Sequence, residues 1–213
     1  MKKSVDNQNK FNILRRFILL FILGIMIYGC SDQPEYFTVS GEISNANGEK
    51  FYLTELKTNQ VAIIDSIILS DDGAFRFKGE SDIPRFYAIR TTADNYLTLT
   101  IHPTDQIIIQ ANGKEVTDNP VITGSPESVA IYKLRMRLEK TVGQLDSLSA
   151  YYRSIIGTAE QHKMRDSLSK LSQDLMSEHT EYTKTFIEEN IHSLSSLMAL
   201  YQQIAPRRYL LNP

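Results

Sequence analysis

From residue 36 to about residue 124, apolar side chains recur at every second position and turn residues arrive every eight to twelve. Phe37, Val39, Gly41 and Ile43 alternate with Thr38, Ser40 and Glu42, which predicts a strand with one buried face. Asn45-Ala46-Asn47-Gly48 then supplies residues that tolerate positive φ, as a tight hairpin requires. Phe51, Leu53 and Leu56 mark a second strand. Residues 61–69 (VAIIDSIIL) are almost continuously apolar and so predict a third strand at the centre of a sheet. Ser70-Asp71-Asp72-Gly73 reads as a turn, and residues 74–79 alternate again. Segments 86–90, 96–101, 106–110 and 121–123 follow. Seven or eight antiparallel strands joined by hairpin turns predict a small β-sandwich over residues 36–124.

Beyond Gly124 the period lengthens to about 3.6. Ser125-Pro126-Glu127 is a helix start, with a capping hydroxyl, proline at the first helical position and an acid in the first turn. Leu134, Leu138, Val142, Leu145, Leu148 and Tyr152 recur at spacings of three and four. Gly157 interrupts them, and Thr158 with Gln161 has capping-box spacing. A second stripe runs through Met164, Leu168, Leu171, Leu175, Tyr182 and Phe186. The pattern predicts a long helical hairpin, then a third helix capped by Ser193 or Ser195, carrying Leu197, Leu200, Tyr201 and Ile204 and ended by Pro206. The fold class is therefore α+β: a sandwich at 36–124, helices at 125–205 and a C-terminal stub at 206–213. Both helical stripes are narrow, so they pack on each other, on the sandwich or on something else.

The first thirty residues have a different character. Lys2, Lys3, Lys10, Arg15 and Arg16 face a single acid, Asp6, and residues 17–28 (FILLFILGIMIY) are uncharged and apolar. That run is shorter than the roughly 20 residues a spanning helix needs, so the pair reads as a secretory signal at 1–29. Ile27-Tyr28-Gly29-Cys30 resembles the lipobox of bacterial lipoproteins, with Tyr28 departing from the small or aliphatic residue usual there. The resemblance implies cleavage between Gly29 and Cys30 and diacylation (palmitate-type) of Cys30. Residues 30–35 then form a lipidated tether, and two acyl chains suffice for a stable anchor. The alternative is a buried free cysteine after an N-terminal anchor helix. Ser31 after the cysteine favours the outer membrane, facing the periplasm or the surface.

Composition narrows the function classes. The chain has 213 residues, 42% hydrophobic and 23% charged, an ordinary globular balance. Its formal charge is -2, and loss of the first 29 residues removes five basic groups and one acid, leaving -6. Nucleic acid is not an expected partner. The one cysteine excludes an internal disulfide, a CxxC pair and a thiolate zinc cluster. His102, His162, His179 and His192 have no metal-ligand spacing, and the last three lie among polar residues, so all read as solvated. Asp71-Asp72-Gly73 lacks the other positions of a calcium loop. Glu188 and Glu189 point about 100° apart on a helix and so cannot share a site. Arg207-Arg208 reads as solvated. Neither a nucleophile elbow nor a glycine-rich phosphate loop occurs, and no catalytic residue, cofactor or metal site is expected.

The order of these elements resembles a known family. A lipobox, then Ser40-Gly41-Glu42-Ile43, Leu53, Asp65-Ser66 and Asp72-Gly73-Ala74-Phe75-Arg76-Phe77, then the 190–199 segment, is similar to the N-terminal half of TlpA/ResA-like thiol–disulfide oxidoreductase lipoproteins. The resemblance covers residues 37–205. It implies a β-rich accessory domain ahead of a thioredoxin domain that carries the chemistry, yet no position here matches the CxxC motif. Three readings follow. The first is a non-catalytic envelope module serving as spacer, docking or recognition unit for redox proteins. The second is a fragment of an oxidoreductase whose thioredoxin domain is encoded downstream. The third is a surface lipoprotein binding glycans or peptides, with Tyr36, Tyr52, Tyr87 and Tyr96 as groove candidates.

Overall fold

The computed structural model describes residues 36–211; the expected signal segment, Gly29, Cys30 and the expected tether lie outside the described residues. Eight strands come first: β1 (Tyr36–Ser44), β2 (Lys50–Leu56), β3 (Val61–Ile68), β4 (Ala74–Glu80), β5 (Arg85–Arg90), β6 (Tyr96–Ile101), β7 (Gln106–Asn112) and β8 (Val121–Thr123). They form two four-stranded sheets in the orders β4-β1-β7-β8 and β3-β2-β5-β6. The expected α+β sandwich is present. One pairing differs from the all-antiparallel expectation, because β1 runs parallel to β7, with Val39 opposite Ile107. Alternation reports that a strand has two faces and says nothing about the direction of its neighbour.

The strand alternation sends Phe37, Val39, Phe75, Phe77, Ile107 and Ile109 of the first sheet against Phe51, Leu53, Tyr87, Ile89, Leu97 and Leu99 of the second. All are buried. Aromatic rings tie the layers together: Phe51 meets Phe75 edge-on at 5.0 Å between centroids, and Phe37 meets Tyr87 at the same distance.

The expected centre strand is at an edge. β3 ends the second sheet, and Val61, Ile63, Ile64 and Ile68 are exposed. Continuous apolar character marks a strand covered on both faces, but here a bulge between the Leu53 and Thr54 pairings shifts the strand's phase midway. Apolar residues therefore fall on both faces without both being buried.

Helices α1 (Pro126–Ser154) and α2 (Ala159–Glu189) form the hairpin, each about 45 Å long at a rise of about 1.5 Å per residue. Ser125 caps α1, its Oγ accepting from the Ser128 N–H at 3.2 Å. At the second start Thr158 makes no side-chain cap; its hydroxyl donates to Ile155 O, while Gln161 Oε1 accepts from the Gly157 N–H. Buried residues lie at the hairpin's root: Ser128, Ile131, Leu134 and Thr141 on α1, and His179, Thr183 and Phe186 on α2. Beyond the root the two stripes are half-buried except at Leu171, which is exposed. α3 (Ser195–Leu200) stops earlier than expected, and its Ser195 N–H donates to Ser193 Oγ. Ile204 falls instead in β9 (Gln203–Ala205), which pairs with β10 (Arg208–Tyr209) across a turn where Arg207 has φ 61. The supposed stub is thus a small hairpin.

Candidate functional site

Each sheet edge is treated differently, and the contrast singles out one surface. An edge strand offers a row of free N–H and C=O groups to any passing strand, so folds guard it. β8 is only three residues long. β4 carries exposed Arg76, Lys78 and Glu80 on its outer face, with the Lys78 ammonium 3.5 Å from the centre of the Tyr36 ring. β6 is closed by α1: Ser128 Oγ accepts from the Thr100 N–H at 3.0 Å, Ser125 Oγ donates to Thr100 O at 3.0 Å, and Arg135 Nη1 donates to Tyr96 O at 2.7 Å. The same serines that cap the helix therefore also satisfy the strand.

Among the described residues β3 has none of these covers. Its pairing with β2 shows which way each side chain points. Asp65 and Ile67 sit opposite Leu53 and Phe51, on the core-facing side, whereas Ser66 and Ile68 sit opposite Tyr52 and Lys50 on the outer side. The bulge at Ile64 resets the phase, so Ile63 and Val61, opposite Thr54 and Leu56, also point outward. Val61, Ile63 and Ile68 are 51%, 58% and 68% exposed and form one aliphatic row on the open edge. Asp65 is the strand's only charge.

Two polar clusters hold the helical arm and explain where its chemistry-bearing residues went. His179, expected on the surface, is fully buried at the root. Its Nε2 donates to Gln202 Oε1 at 3.0 Å, and Nδ1 lies 3.2 Å from the Thr141 hydroxyl. Thr183 Oγ1 donates to His179 O at 2.9 Å. Burial pushes the imidazole below its ordinary pKa, so it is neutral and structural at pH 7. A polar stretch concealed it because α3 and β9 cover that face of α2 from further along the chain. Beside it, Arg137 pairs with Glu178, whose carboxyl it holds below the usual range, and lies 5.4 Å from the Tyr182 ring centre. His162 and His192 are exposed, and His102 lies 3.4 Å from Glu127 Oε1. Among the described residues no group of three potential ligands converges on a metal position. Asp72 sits in the expected turn, accepting from Ser70 Oγ and the Ala74 N–H, and Asp71 accepts from Asn47. Glu188, Glu189, Arg207 and Arg208 are exposed.

The four tyrosines do not share a groove. Tyr87 is in the core and Tyr36 is on the other sheet. Tyr52 and Tyr96 do fall in one row, because both register with Arg90 across β2, β5 and β6. The Arg90 guanidinium is 5.9 Å from the Tyr52 ring centre, and Arg135 is 4.9 Å from that of Tyr96. Tyr96 also borders a cleft of about 420 Å³ between β6, α1 and α3, whose rim includes Arg135, Met198, Tyr201 and Gln203.

Comparison with known proteins agrees with a domain that has no assigned chemistry. A family model described as a domain of unknown function, DUF4369, matches residues 37–130, which run from β1 through the first turn of α1. No curated protein matches the chain. Among solved structures, a DUF3823 family protein from Bacteroides uniformis is similar at 14% identity with a TM-score of 0.24, over 37% of this chain and 42% of that one. Neither match is to a thiol–disulfide oxidoreductase; over its sandwich the chain is similar to DUF4369.

Proposed function

We propose that this chain is a non-catalytic, lipid-anchored envelope module that works by docking through the open edge of its second sheet. One observation carries the reading. Three of the four edges of the sandwich are short, charged or closed by α1, while β3 presents Val61, Ile63 and Ile68 to solvent beside a hydrogen-bonding edge that no other described strand pairs with. An exposed edge of this kind takes up a further strand, with main-chain bonds giving affinity and alternate side chains giving selectivity. Acyl groups on Cys30 hold the module to the outer membrane, and the helical arm sets it off from its surroundings. The resemblance to the accessory half of thiol–disulfide oxidoreductases makes an envelope redox protein one class of partner.

The test places a photo-reactive amino acid at position 63 or at position 76 of the full chain in native envelopes. Docking through β3 gives a discrete adduct from position 63 and none from position 76. Equal labelling at both positions, or none at 63, overturns the reading. A second reading, binding of glycans or peptides, is favoured by the Tyr52–Arg90–Tyr96 row. It predicts that Arg90→Ala weakens retention on an acidic glycan matrix at least five-fold while leaving the position-63 adduct intact.

A further inference from the structure

We infer that the occupant of the open edge is a second copy of this chain, its β3 running antiparallel to the first about a two-fold axis that passes between the two strands, level with their Ile64–Asp65 peptides. The inference rests on the docking reading above and names its partner.

The bulge is the reason. In a regular strand, residues 61 and 68 would point to opposite faces, and a two-fold between residues 64 and 65 would set outward side chains against inward ones. Because Ile64 is the extra residue, Val61 and Ile63 share the outer face with Ser66 and Ile68, and Ala62 shares the inner face with Ile67. The two-fold register then matches three pairs on either side of the axis, with only Ile64 and Asp65 at the bulges left unmatched: Val61 faces Ile68 of the other copy, Ala62 faces Ile67, and Ile63 faces Ser66. Directly opposed side chains in an antiparallel pair lie on one face, so the aliphatic rows of both copies merge into one covered strip. The interface is self-complementary, as a two-fold contact must be.

Charge agrees with the same direction. The antiparallel arrangement brings the turn before β3, which carries Lys57 with its side chain 44% exposed, against the turn after β3, which carries exposed Asp71 and Asp72. A parallel pairing would set acid against acid at one end. Asp65, the strand's one charge, opposes the pairing: the two Asp65 carboxylates would flank the axis at the bulges, outside the three matched pairs on either side. The joined sheet would have eight strands, each outer end closed by the α1 of its own copy.

Two differently tagged full-length copies are expressed together, one carrying Val61→Cys and the other Ile68→Cys, and the membranes are treated with copper phenanthroline. Opposed residues in an antiparallel pair have Cα atoms about 4.5–5.5 Å apart, within disulfide range. Two copies without an introduced cysteine set the background. The expected result is a disulfide-linked heterodimer from the 61/68 combination, at least five-fold above the 61/61 combination. Ile63→Lys in either copy abolishes it while leaving the protease-resistant body intact. No 61/68 product, or equal yields from 61/68 and 61/61, overturns the inference. If position 63 labels a different protein while 61/68 fails to link, the second-copy inference falls and docking stands. If both experiments fail, both readings fall.

Discussion

Two residues show how tightly the sandwich constrains its chain. Gly41 lies in β1 with φ 152, and a Cβ there would sit 1.7 Å from Ile109 O on the parallel neighbour β7. β1 is bonded on both sides, so neither strand can yield without breaking the sheet. Gly41→Ala is expected to cost about 3–5 kcal/mol, among the larger single-site losses, by urea denaturation. Gly48, also at positive φ (77) but with nothing within 4 Å, is the control: Gly48→Ala should cost only the backbone term, about 1–2 kcal/mol. His179 makes a pH prediction. Its folded pKa is depressed from 6.5 by burial, so as pH falls below about 6.5 the unfolded chain takes up a proton that the folded chain resists. Stability should be flat above pH 7 and decline below 6.5. His179→Leu should flatten that decline and cost about 1–3 kcal/mol at pH 7, because Thr141 and Gln202 lose their partner. A pH profile of the variant as steep as that of the native chain would remove His179 as the cause.

At the scale of elements, the start of α1 holds the helix and the second sheet together. Ser128 Oγ receives the Thr100 N–H and lies 2.8 Å from Ser125 Oγ, all of it buried. Ser128→Ala should therefore lower stability by about 1–3 kcal/mol and speed exchange of the Thr100 amide more than that of the β5 amides, as read by hydrogen exchange. The same region shows what the sequence could convey. Ser125-Pro126-Glu127 announced the helix, because capping is local chemistry, and the period-two and period-3.6 patterns located the eight strands and the two long helices. Three features were not local. β3 was placed at the centre since the sequence VAIIDSIIL does not reveal a bulge, which exists only relative to β2. His179 looked solvated because Gln202, 23 residues on, supplies its partner. The β9–β10 hairpin was hidden by Pro206, which ends a helix and opens a turn equally well. The docking edge was legible as apolar residues and illegible as an edge.

For the whole molecule, the proposed lipid anchor and the body make separable predictions. Protein extracted from native membranes should begin at an acylated Cys30, read by mass spectrometry of its N-terminal peptide, and Cys30→Ala should abolish incorporation of a palmitate analogue. An N-terminal peptide that still begins at Met1 contradicts the lipobox assignment. The parallel pairing of β1 with β7 has a further consequence, for the order in which the molecule is made. In the second sheet the longest-range pairing, Tyr52 with Arg90, spans 38 residues against 68 for Thr38 with Gln106, so that sheet can assemble earlier. The first sheet is different. Thr38 is registered with Gln106, and β1 is flanked on one side by a strand that does not yet exist when half the chain has left the ribosome. Until residue 112 emerges, the nascent chain holds a strand with one vacant side, and a chain stopped short of β7 is left with that side exposed for good.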